Sequence, residues 1–200
     1  LLLGVAKRGD PGRVIGWVTL GGLVAVFGLL WGAREGTLFG GSFAQDSLAL
    51  FAKRLFLVAS AISVLGSLTM RQPTFDRRAA EYHFALIVSV LGMFVLSSSR
   101  EFVLLFVAFE LMSIPLYLLT GFLKREAVAS EAALKFFLVG TASSAIFLYG
   151  ISFVYGVTGT PAFSAIPQAM ATGQPLMLLG MGLLLAGLGF KIAAFPFHMW

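Results

Sequence analysis

The chain has 200 residues, of which 58% are hydrophobic and only 12% charged, with a mean hydropathy of +0.94. Soluble domains carry about 45–50% apolar and about 25% charged residues, so this balance excludes a water-soluble globule and specifies an integral, multi-pass membrane protein. The net charge of +5 does not point to nucleic acid, because most basic residues stand in short clusters between apolar runs, the pattern that orients spans in a bilayer; the absence of cysteine excludes disulfides and thiolate metal sites.

A spanning helix needs roughly 20 apolar residues at about 1.5 Å each, and such runs recur along the chain. Leu1 to Ala6 reads as the tail of one span, closed by "KRGDPGR" at 7–13. Val14 to Trp31 is the second run, followed by a loop rich in Gly and Ser that reaches Ser47. The third, Leu48 to Met70, carries Lys53 and Arg54 near its start, which puts its first turns at the interface. The linker "RQPTFDRRAAE" leads into the fourth, Tyr82 to Ser97. "SSSRE" is so short that the fourth span and the fifth, Phe102 to Phe122, must be antiparallel neighbours. After "LKREAVAS" the sixth runs from Glu131 to about Tyr155; a charge-free loop follows, and a seventh begins near Leu176.

Alternate loops hold the basic residues: Lys7, Arg8 and Arg13, then Arg71, Arg77 and Arg78, then Lys124 and Arg125. The positive-inside rule turns these loops to the cytoplasm and the start of the chain outward. Runs this long and continuous are helices, since a lipid-exposed backbone must satisfy its own hydrogen bonds. The expectation is an all-α polytopic transmembrane helix bundle, a single membrane domain over 1–200. Because it starts at Leu1 and stops at Trp200 inside an apolar stretch, a piece of a longer polypeptide is expected.

Ionisable groups at membrane depth cost about 2.5–3.5 kcal/mol each on insertion scales, so each needs a partner, water or a function. Three stand out: Glu110 in "FVAFELMSIPLY", Lys135 in the sixth span and Lys191 in "GLGFKIAAFPFHMW". Ser113 and Tyr117 follow Glu110 on one helix face, and Pro115 frees the carbonyl of Leu111 and kinks the helix. Glu110 is then either half of an ion pair that clamps two helices or a proton-handling group that sets the protonation of a neighbouring lysine. Lys135 follows Glu131 by one turn, the spacing of a routine helix salt bridge, but lies beside "FFLVG"; Glu131 is a second-tier candidate. Around Lys191, Gly187 and Gly189 admit close approach, and Pro196 is expected to break the helix one turn later, as at ion pathways. His198, also second tier, is either a titrating group near neutral pH or an ordinary hydrogen-bonded histidine. No phosphate loop, HExxH, CxxC or haem spacing occurs, so no redox, cofactor or metal site is expected in this chain.

"FELMSIPLYLLTGFLKRE", "SEAALKFFLVGTASSAIFLYGISFVYGVTGT" and "GLGFKIAAFPFHMW" resemble the antiporter-like membrane subunits of bacterial NADH–quinone oxidoreductase, respiratory complex I, and favour its subunit N branch. The resemblance is close over the fourth to seventh spans and general before them. It implies the N-terminal part of a fourteen-helix subunit with two inverted five-helix repeats and a broken seventh helix. It equates Glu110, Lys135 and Lys191 with the family's proton-transfer residues. It also implies neighbouring complex I membrane subunits as partners in a bacterial plasma (inner) membrane, with NADH, FMN, iron–sulfur clusters and quinone handled elsewhere in the complex. His83 departs from the pattern, where an aromatic such as tyrosine is expected. Two alternatives share the Glu/Lys pattern: an Mrp-type cation/proton antiporter or membrane-bound hydrogenase subunit, and a scaffold subunit whose buried ion pairs only clamp helices.

Overall fold

A computed structural model describes residues 11–70, 73–123 and 126–195. Its main elements are α1 (Pro11–Leu29), a hairpin of β1 (Gly36–Leu38) and β2 (Phe43–Gln45), α2 (Ser47–Thr69), α3 (Pro73–Ser98), α4 (Phe102–Thr120), α5 (Ala127–Thr158), the short α6 (Ile166–Ala171) and α7 (Pro175–Lys191). Five of these, α1 to α5, are long and apolar enough to cross a membrane. Large side chains such as Leu118, Leu185 and Trp17 point outward, as lipid-facing positions do. The stretches expected as the first span, at Leu1–Ala6, and the second-tier site His198 lie outside the described residues.

Helix ends differ from expectation where local chemistry extends them. The linker before the fourth span is helical from Pro73, because proline suits the first helical position and Asp76 in the first turn complements the positive helix end. α5 begins at Ala127 rather than Glu131, since "AVASEAA" is a strong helix former, and ends at Gly159, which takes the left-handed conformation at φ 68°. The expected Gly/Ser loop is a hairpin pairing Gly36 with Gln45, Thr37 with Ala44 and Leu38 with Phe43. The charge-free loop folds into a 3-10 turn at Phe163–Ala165 and α6. One end of the bundle is stitched across loops: Phe43 bridges Ser99, and Glu101 bridges Ala162. In addition, Arg100 N–H donates to Ser42 O at 2.8 Å and Phe102 N–H to Pro161 O at 3.0 Å.

Two apolar cores hold the helices. Leu23, Leu57, Val64, Leu86 and Val90 join α1, α2 and α3. Phe102, Phe147, Ile151, Val154, Met177 and Leu184 join α4, α5 and α7, with α6 added by Ala169. The seam between them is the α3–α4 pair, which pack together as their short connection requires. Gly92 marks their closest approach: a Cβ there would stand 2.4 Å from the backbone N of Met112. Ser89 adds a hydrogen bond across the seam, donating to Met112 O at 3.0 Å.

Lys53, in the first turns of α2, is covered by the protein itself. Only 3% of it is exposed, because the hairpin folds over the start of α2. Its ammonium donates to Gln45 Oε1 at 3.0 Å and lies over the rings of Phe43 and Phe94 at 5.0 and 6.0 Å. At the head of the same helix, Asp46 accepts from Ala49 N–H at 2.8 Å and pairs with Arg100. The Ala49 bond, with the Arg100 guanidinium adding to it against a smaller opposing effect of burial, holds the Asp46 carboxyl below the usual carboxylate range.

Candidate functional site

α4 presents Glu110 and Ser113 toward α5 and the end of α7. Lys191 Nζ donates to Ser113 Oγ at 2.8 Å and stands 3.8 Å from Glu110 Oε1. Ser144 on α5 donates to the same carboxylate oxygen at 2.6 Å. The ammonium also lies 5.8 Å from the centre of the Phe109 ring, a cation–π arrangement. The Lys191 and Glu110 side chains are 9% and 23% exposed, so three helices enclose one ion pair with a hydroxyl on each member.

α7 ends at the lysine itself, not after Pro196, which lies outside the described residues. Ala194 N–H donates to Gly189 O at 2.8 Å and Ala193 N–H to Phe190 O at 3.0 Å, with Ala193 in the left-handed region at φ 51°. This pattern of bonds is a Schellman closure. It stops the helix before any proline is reached and fixes Lys191 on its last turn. Small residues bring α5 and α7 together: a Cβ on Gly187 would meet Phe147 Cβ at 2.6 Å, and Ser143 Oγ donates to Gly187 O at 2.9 Å.

Of the residues singled out by sequence, the fold brings Glu110 and Lys191 into one cluster. Lys135 and Glu131 lie apart from it, bonded to each other at 2.5 Å with side chains 65% and 64% exposed. Their position follows from the early start of α5, which leaves Lys135 only about 12 Å from the helix N-terminus at 1.5 Å per residue. Tyr117 is 5% exposed and packs edge-on against Phe136, with ring centres 4.7 Å apart. Sequence reasoning missed Ser144 as the second ligand of Glu110 and Phe109 as the face under the ammonium. A pair of adjacent serines in an apolar span was the available signal for the first. His83 is 2% exposed, with Nδ1 2.7 Å from Ala79 O and Nε2 3.3 Å from Ser67 Oγ. Among the described residues no three His, Cys, Asp or Glu side chains gather as a metal cradle.

A family model described as "NADH:quinone oxidoreductase/Mrp antiporter, TM" matches residues 99–200, about half the chain and all of the α4–α7 site. NADH-quinone oxidoreductase subunit N 1 of Thermodesulfovibrio yellowstonii is 38% identical over the whole chain, which spans 43% of that relative's length. NADH-quinone oxidoreductase subunit N of Rhizorhabdus wittichii is 40% identical, again over the whole chain and 43% of its own length. Among solved structures, respiratory complex I from Thermus thermophilus with bound aureothin contains a chain that superposes with a TM-score of 0.80 at 33% identity. All of this chain and 42% of that one are covered.

Proposed function

Because the chain belongs to the NADH:quinone oxidoreductase/Mrp antiporter transmembrane family, we propose that it is the N-terminal part of a proton-translocating membrane-arm subunit of an NADH:quinone oxidoreductase. The assembly is placed in a bacterial plasma membrane beside other antiporter-like subunits. In this reading NADH, FMN, iron–sulfur clusters and quinone belong to other parts of the enzyme. This chain supplies proton transfer.

The observation that carries the reading is the enclosed pair of Glu110 and Lys191 at the C-terminal end of α7. With Nζ and Oε1 3.8 Å apart, their attraction is about 4 kcal/mol at an effective dielectric of about 20. Moving one charge against 100 mV takes about 2.3 kcal/mol. Opening and closing this one pair is therefore enough to drive a proton step. With the pair closed, Glu110 holds the proton on the lysine. With Glu110 neutralised or withdrawn, the proton leaves. Ser144 holds the carboxylate oxygen in place throughout. Lys135, bonded to Glu131 on the side of the basic loops, is assigned to proton exchange upstream of the pair, and His198 to a second-tier role beyond it.

The test is proton uptake driven by NADH in inverted membrane vesicles that carry the full-length subunit with Lys191→Ala, beside the parent, with assembly checked by native gel. Loss of uptake in an assembled complex supports the reading. Unchanged uptake and NADH oxidation would reduce Lys191 to a helix clamp.

A further inference from the structure

We propose that Tyr117 is a proton-relay residue that feeds Ser113 and Lys191 from the side of the basic loops, an inference that rests on the function proposed above. Its hydroxyl is buried and, among the described residues, makes no hydrogen bond. A buried hydroxyl without a partner is destabilising, so packing alone favours phenylalanine here. The ring contacts do not need the oxygen: Tyr117 meets Phe136 and Phe137 edge-on, with centres 4.7 and 5.8 Å apart. What surrounds the oxygen is kept clear for it. A Cβ on Gly140 would stand 2.2 Å from Oη, so α5 carries its one residue type without a side chain where the hydroxyl lies.

The direction in which the hydroxyl can act follows from its neighbours. Ser113 stands one turn earlier than Tyr117 on the same face of α4. Ser113 Oγ in turn accepts from Lys191 at 2.8 Å. Phenol, serine hydroxyl and amine thus form an ordered series from the Gly140 side to the ion pair. Loading a neutral Lys191 takes three coupled transfers. The serine proton passes to Nζ, the tyrosine proton passes to Ser113 Oγ, and a protonated water on the Gly140 side gives its proton to Tyr117 Oη. One N–H and two O–H bonds form while three O–H bonds break, and both hydroxyls end neutral. Unlike Lys135, whose side chain is 65% exposed, Tyr117 is buried inside the bundle.

The experiment compares Tyr117→Phe, Lys191→Ala and the parent in the assembled complex in inverted vesicles, reading electron transfer, proton uptake and the solvent-deuterium effect on uptake. Groups of this kind contribute about 10²–10⁴-fold, so Tyr117→Phe is expected to lower uptake at least about tenfold and change the isotope effect while assembly is retained. Parent-like uptake in Tyr117→Phe with uptake lost in Lys191→Ala would overturn the tyrosine relay and leave the ion-pair function standing. Failure of Tyr117→Phe to assemble would also overturn it, since the hydroxyl would then hold the fold. Parent-like uptake in Lys191→Ala would remove the function on which the relay depends.

Discussion

Adding one methyl group at Gly92 should disturb the ion pair from the far side of α4. The Cβ of Gly92→Ala would lie 2.4 Å from Met112 N, 2.7 Å from Met112 Cα and 2.8 Å from Leu111 C. These are backbone atoms, so no side chain can rotate away. Ordinary contact is about 3.5 Å or more, so the two helices must separate locally by about 1 Å. Overpacking of this kind costs about 1–3 kcal/mol. The displaced atoms lie between Glu110 and Ser113, so a shift of that size misaligns the 3.8 Å ion pair and the 2.8 Å Lys191–Ser113 bond. The expected result for Gly92→Ala is a lowered Tm of the purified complex together with reduced proton uptake in vesicles, electron transfer being measured in parallel. Unchanged Tm and uptake would mean that α3 and α4 do not pack as closely as described. A lowered Tm with full uptake would mean that the Glu110 geometry is not what sets the proton step.

An apolar replacement of the whole pair, Glu110→Leu with Lys191→Met, should assemble with stability near that of the parent, because well-packed apolar groups often replace a buried pair without loss. It should not pump; full uptake would favour a scaffold role. Ala193→Gly should raise stability by about 1 kcal/mol, since a left-handed alanine is strained and glycine is not, and thermal unfolding followed by circular dichroism checks it. Asp46 is a carboxylate held below its ordinary value of 3.8, so its contribution is present above that pH and fades as pH falls through the lowered value. Hydrogen exchange at the head of α2 should therefore rise in strong acid in the parent, but not in Asp46→Ala, which should already exchange faster at neutral pH.

Sequence alone determined the membrane class, the second to sixth spans and the antiparallel α3–α4 pair. Each depends only on run length, hydropathy or the reach of a short turn. It also singled out Glu110 and Lys191, because an ionisable group in an apolar run is conspicuous whatever its neighbours. Tertiary structure decided which groups meet. Glu110 and Lys191 are far apart in the chain, and only the packing of α4, α5 and α7 brings them to 3.8 Å and adds Ser144. The position of the helix break also required coordinates, because it arises from a Schellman closure with a left-handed Ala193 rather than from the proline visible in the sequence. Lys53 and Lys135 show the same division in opposite directions. The former is covered by a hairpin that glycine-rich composition concealed, and the latter pairs with Glu131 on the outer face of α5, apart from the Glu110–Lys191 cluster. Hydropathy reports the solvent a segment prefers, whereas burial of a particular side chain depends on what folds over it.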